Sequence, residues 1–269
     1  MEKRNYSIDL GKYLAAICVI AIHTEPFVEY SEVLNTFVVQ IVARMAVPYF
    51  AVCSGYFASK KSAEEDVRRN EIVGFFAAQW KKILFIYLFW SIIYLLYSIP
   101  KWAATGWLSL FAFADYGIAT FRIGSHYHLW YLLGYLYAWP VFYLCMRYMR
   151  KSYWLWASLV LYVCEVIRYV YKIFLPEQIE EVFSVGDYFD GFFSGIFCIL
   201  PFMLLGAFIS KKSNEVKFQK THLLDFLGCF LMLILEVIFL YNHGQKAVSY
   251  ILFTKTSHSK NGLRSLKTQ

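Results

Sequence analysis

The sequence predicts an all-α protein, a polytopic transmembrane helix bundle, and three observations carry that prediction. Of the 269 residues, 59% are hydrophobic and 20% aromatic, where a soluble domain holds roughly 45–50% apolar residues. The apolar residues gather into runs near the ~20 that a helix needs to cross ~30 Å of hydrocarbon. The charges fall between those runs, in clusters that alternate between basic and acidic.

Seven spans follow in order, at 8–28, 34–58, 83–99, 128–146, 153–171, 191–210 and 223–241, with an eighth begun near Ala247. After the second comes the basic stretch SKKSAEEDVRRNEI, 59–72, with Lys60, Lys61, Arg68 and Arg69; Lys81 and Lys82 follow it. The turns at 147–151 and 211–220 are basic too. In contrast, EYSE at 29–32 has no basic residue, and 172–190 carries Glu177, Glu180, Glu181, Asp187 and Asp190. Positive charge stays with the cytoplasmic loops. The amino terminus and every basic turn are therefore expected in the cytoplasm, in a multi-pass protein of the plasma membrane. Residues 102–121 would break the alternation if they spanned. Gly106, Asp115 and Gly117 make them a poor span, so an outer-face amphipathic or re-entrant segment is expected there.

The net charge of +7 sits in short clusters between apolar runs, which argues against a nucleic-acid partner and for the lipid bilayer. Cys18, Cys53, Cys145, Cys164, Cys198 and Cys229 each stand alone inside an apolar run, with neither metal-site nor disulfide spacing. No Gly-rich phosphate loop, Ser–His–Asp signature or metal-ligand cluster appears, so neither a metal nor a bound cofactor is expected. Lys3 and Arg4 precede the first run, but no small-x-small cleavage site follows it, and Ile17 stands where a lipoprotein box needs a small residue. The first helix is expected to be retained.

Several titratable groups interrupt the apolar runs, where a charge costs at least ~2.5 kcal/mol. In IDLGKYLAAICVIAIH, Lys12 and His23 are eleven residues apart, hence within ~20° of one helix face and ~16 Å apart along the axis. Asp9 lies one turn below Lys12 on the same stripe. Asp9 and Lys12 can also snorkel to the interface, whereas His23 sits in the other half of the span. Arg44 falls near mid-membrane and keeps its charge, so it needs a carboxylate, a water-filled cavity or an anionic ligand. Pro48 favours a kink, and Ser54 with Gly55 offers a small-residue helix contact. Glu165 and Arg168, spaced i,i+3, can satisfy each other. Glu236 has no local partner; Arg44 or a protonated state would accommodate it. Buried His, Arg and Glu also line solute and proton pathways, so a transporter or flippase is the alternative class. Its paired, interrupted half-helices are not visible here.

These segments resemble the acyltransferase-3 family of integral membrane acyltransferases. The likeness begins at IDLGKYLAAICVIAIH, with a basic residue, ten intervening positions and a histidine as Lys12 and His23. It continues through RMAVPYFAVCSGYF, KKILFIYLFWSIIY and HLWYLLGYLYAWPV at 128–141. The membrane part of serine racemases from vancomycin-resistance clusters is similar too. The resemblance implies transfer of an acyl group, acetyl above all, from cytoplasmic acyl-CoA as co-substrate to a hydroxyl of an envelope polysaccharide or similar acceptor. His23, with Asp9 and Lys12, would line the reaction cavity, His23 as general base or transient acyl carrier. Arg44, Ser54, Lys81, Lys82, His128 and Trp130 would bind donor or substrate. Two departures stand out. A basic pair three apart usually opens the family's third helix, where this chain has Gln79 and Lys82, with Lys81 as a substitute. The family also has more helices than this chain has apolar runs. Residues 1–254 are therefore expected to form an incomplete membrane domain, with 255–269 a disordered polar tail, and an inactive fragment is a further alternative.

The charge alternation makes a direct prediction. Single cysteines at Lys61 and Glu180, in a background lacking the native cysteines, should label from opposite sides of the membrane. Labelling of both by an impermeant reagent on intact cells would reject the map.

Overall fold

A computed structural model describes residues 6–63, 69–169 and 188–212, and it contains helices and turns with no strand among those residues. The expected span at 223–241, the run near Ala247, Glu236, the tail and most of the acidic 172–190 segment lie outside the described residues. Among the described residues, five stretches are long and apolar enough to cross a membrane: Tyr6–Thr24, Thr36–Ser62, Asn70–Ala104, Leu110–Tyr148 and Asp190–Lys211. The fourth is two rods. Gly124, at φ +104°, turns the chain between helix α5 (Leu110–Arg122) and helix α6 (Trp130–Tyr148).

Helix α1 (Tyr6–Thr24) leaves Leu10, Leu14, Ile17 and Ile20 exposed, the face a lipid-bathed helix presents. It rests on the next rod at Gly11, where any Cβ would strike the Tyr49 ring. Tyr49 Oη donates to the Ile8 carbonyl at 3.1 Å beside it. That second rod runs from α2 (Glu32–Asn35) through a π-helical stretch, Thr36–Val42, and one 3₁₀ turn, Ala43–Met45, into α3 (Ala46–Ser62). The change of helix type has a cause. Pro48 cannot donate to the Arg44 carbonyl, and the ladder rearranges in the turns before it. Pro201 is likewise preceded by a π-helical stretch, Ser194–Ile199, between α8 (Asp190–Phe193) and α9 (Leu200–Lys212).

Helix α4 corrects an expectation. It starts at Arg69 and runs 36 residues to Ala104, ~54 Å of helix, rather than occupying 83–99. Lys81 and Lys82 therefore lie within a helix and not in a basic loop. Hydropathy alone hides the first half, because Ile72, Phe75, Phe76, Trp80 and Ile83 form a 3.6-period stripe against α6 that Gln79, Lys81 and Lys82 interrupt. The stretch at 102–121 becomes a turn through Gly106 (φ +72°) and the 13-residue α5. Ser109 caps α5, accepting from Ala112 N–H at 3.3 Å. Helix α5 folds back along α4: Trp102 meets Phe113 edge-on, centroids 5.6 Å apart, and Tyr116 Oη donates to the Ser91 carbonyl at 2.6 Å.

The core gathers Phe76, Tyr135, Trp139, Phe142, Trp154, Met203 and Leu204 from α4, α6, α7 (Trp154–Tyr169) and α9. Pro140 deprives the Leu136 carbonyl of its helical donor, and Trp80 Nε1 supplies one at 3.0 Å. Glycines set the closest approaches. Gly55 lies on the Met203 backbone, Gly206 on the Val52 backbone, and Gly134 on Gly195. The expected Glu165–Arg168 pair forms, with Nε to Oε2 at 3.0 Å. Asp190, read as part of an acidic outer loop, is instead buried, 3.7 Å from Arg168 Nη2.

The glycine contacts predict an asymmetric response. Gly55→Val forces α3 away from α9 and should cost more than about 2 kcal/mol. Gly74→Ala, where an added Cβ meets nothing within 4 Å, should be neutral or stabilise by a few tenths up to about 1 kcal/mol. Thermal unfolding of the two variants in detergent checks the difference. Equal midpoints would remove the close α3–α9 approach.

Candidate active site

Two helix ends meet at one point. His23 lies in the last turn of α1, and the chain leaves that helix through Glu25, whose φ of +45° is left-handed. His128 lies in a 3₁₀ turn, Tyr127–Leu129, that opens α6. Leu129 N–H donates to the His126 carbonyl at 2.9 Å and closes that turn. The two imidazoles stand edge to face, centroids 4.4 Å apart and planes at 85°, with Nδ1 to Nδ1 at 3.0 Å.

That contact constrains the tautomers. Two neutral imidazoles can bond through Nδ1 only if one ring carries the Nδ1 proton and the other accepts it. The donor ring then has a bare, basic Nε2. The acceptor ring has its proton on Nε2 and can donate it. One pair thus presents a base and an acid together.

Arg44, 1% exposed in the 3₁₀ turn before Pro48, lies close enough to act electrostatically on His23. Glu25 exerts a favourable pull on Arg44 from across the site. On the far side of His128, His126 stacks on Tyr94 of α4 (4.3 Å, 11°) and on His128 (5.0 Å, 21°). Tyr127 closes on both His23 and His128, at 5.9 and 3.5 Å between centroids.

The remaining candidates occupy a second level of the bundle. Lys12 Nζ lies over the Phe57 ring, 4.5 Å from its centroid. Asp9 and Lys12 act electrostatically on the neighbouring Tyr49 and Cys53, respectively. Ser54 Oγ donates to the Phe50 carbonyl at 2.9 Å and lies beside Tyr135. Lys81 and Lys82, both exposed, share this level because the adjacent Trp80 is bonded to Leu136. The structure therefore separates a histidine tier, with His23, His128 and Arg44, from a lysine tier, with Asp9, Lys12, Ser54, Lys81 and Lys82. Lys12 is ~16 Å below His23 along α1, and Lys82 ~18 Å below Tyr94 along α4. Asp9 and Lys12 do not join His23 at one reacting point. Trp130 is buried in a cluster with Val47 and Cys198.

Glu25, Tyr94, His126 and Tyr127 complete the histidine tier, and the sequence reading missed them. Glu25 carried no visible signal, since its left-handed backbone shows only in three dimensions. The HYH spacing at 126–128 was available as a cluster of rings.

An acyltransferase domain family matches residues 5–260. An amino-acid racemase of Enterococcus faecalis is 30% identical over 228 residues, covering 80% of this chain and 30% of that protein. A second amino-acid racemase of the same species is 28% identical over 249 residues, 90% of this chain and 34% of its own. A serine/alanine racemase of Enterococcus gallinarum is 27% identical over 248 residues, again 90% and 34%. The chain spans about a third of the length of the curated relatives it matches. No solved structure matches it. With all but its ends matched, and helices that can cross a membrane, the chain belongs to the acyltransferase family of membrane proteins.

Proposed function

We propose that the chain transfers an acetyl group from cytoplasmic acyl-CoA to a hydroxyl of an envelope glycan or similar acceptor, in the plasma membrane, with its amino terminus in the cytoplasm. The observation that carries this reading is the 3.0 Å Nδ1 pair of His23 and His128. The two-tier layout supports it. A donor bound by its phosphates at Lys81, Lys82 and Lys12 must extend its long thioester-bearing arm to react at the histidines, and the ~16–18 Å between tiers suits such an arm. Ser54 and Tyr135 offer hydroxyls at the foot of that path.

The chemistry balances within the pair. The bare Nε2 takes the proton of the acceptor hydroxyl while its oxygen bonds to the thioester carbonyl carbon. Negative charge develops on the carbonyl oxygen, and Arg44 stabilises it in a low-dielectric site. The carbon–sulfur bond then breaks, and the departing thiolate takes a proton from the Nε2–H of the other ring. The acceptor leaves as an ester and the donor as free thiol. The racemase activity named for the relatives belongs to proteins about three times longer and is not carried over.

Membranes containing the chain, given acetyl-labelled acetyl-CoA, should place base-labile label in envelope polysaccharide. His23→Ala and His128→Ala should each lower that rate by roughly 10²-fold or more. The double substitution Lys81→Ala and Lys82→Ala should raise KM for acetyl-CoA several-fold with little change in kcat. Wild-type transfer by His23→Ala would overturn the reading.

A further inference from the structure

We propose that the face of α4 formed by Tyr87, Ser91 and Tyr94 is a positioning device for His128, acting through Ser125 and His126. The proposal rests on the acid–base reading of the His23–His128 pair. The three residues, at i, i+4 and i+7, share one helix face. All three meet the short loop that joins α5 to α6.

Tyr87 is fully buried, and its hydroxyl donates to the Thr120 carbonyl at the end of α5. The same oxygen accepts from Ser125 N–H at 3.4 Å. Ser91, 4% exposed, gives its one proton to the Tyr87 carbonyl at 2.8 Å. Ser125 must therefore donate in the 2.8 Å contact between the two serine hydroxyls. Tyr94 adds the flat support under His126. Beyond His128 the chain is fixed again: Leu129 is buried with Tyr87, Leu133 and Leu136. His128 is thus strung between two anchors only four residues apart.

The need for such anchoring follows from the geometry. A reacting pair displaced by about 1 Å can lose on the order of 10²-fold in rate, and turn residues drift unless held. Neither Tyr87 nor Ser91 touches the imidazoles of His23 and His128. Their effect passes through the loop, which makes them positioning residues.

Tyr87→Phe keeps the ring in the core and deletes only the hydroxyl. In the full chain in envelope membranes, with acetyl-CoA as donor and released CoA thiol as readout, kcat should fall about tenfold, because the hydroxyl's two hydrogen bonds, to Thr120 and from Ser125, are lost together. KM for acetyl-CoA should stay within about twofold. In a His128→Ala background Tyr87→Phe should add nothing, because both act through one group. Hydrogen–deuterium exchange of the peptide 123–129 should quicken in Tyr87→Phe. Unchanged exchange, or losses that multiply in the double variant, would overturn the positioning role while leaving the pair intact. Wild-type turnover by His128→Ala would instead remove the acid–base reading, and the positioning role with it.

Discussion

The bundle hangs on two close approaches of backbone, where α3 meets α9 and where α6 meets the π-helical stretch ahead of α9. At the first, Gly55 and Gly206 each lie against the other helix's main chain. At the second, Gly134 and Gly195 face each other. Lipid tails give helices no hydrophobic reason to associate, so dispersion at such close approaches and a few polar bonds must do it. Everything in the histidine tier is referred to these seams. Helix α3 continues from the turn holding Arg44, α6 follows the 3₁₀ turn that holds His128, and α1 lies on α3 through Gly11 and Tyr49 and carries His23 in its last turn. A displacement at Gly55 would move the rod that carries Arg44 and supports α1.

The second constraint is that no backbone group within hydrocarbon can turn to water. Prolines make the constraint visible. Below Pro140 the released Leu136 carbonyl is met by the indole N–H of Trp80. Before Pro48 and Pro201 the helix changes type instead. Charges obey the same rule, since Arg168 lies among Glu165, Asp190 and the Phe193 ring. Polar residues that look misplaced in a hydropathy reading therefore divide into two kinds. Some answer a neighbour's unmet bond, and some converge on one another at the site.

That division explains what was legible beforehand. The helical class and the ion pair at 165 and 168 follow from spacing alone. His23 and Arg44 stood out because each is costly where it lies. The ~16 Å between Lys12 and His23 was legible from the helical rise, whereas the meeting of His23 with His128 was not, because it joins residues 105 apart in the chain. The first half of α4 escaped notice because its apolar stripe is interleaved with Gln79, Lys81 and Lys82, which lowers average hydropathy without weakening the period. Glu25 and the Tyr87–Ser125 bonding escaped because they depend on a φ angle and on contacts across more than thirty residues.

The Nδ1-to-Nδ1 contact has a consequence in symmetry. When a proton enters one ring at Nε2 and another departs from Nε2 of its partner, the shared proton crosses from one Nδ1 to the other. The pair that results is the original with its two rings exchanged. The two states are unequal, because His23 faces the charge of Arg44 while His128 stacks on His126. An acceptor that meets the pair at Nε2 is served by whichever ring holds the bare nitrogen, or must wait while the shared proton crosses.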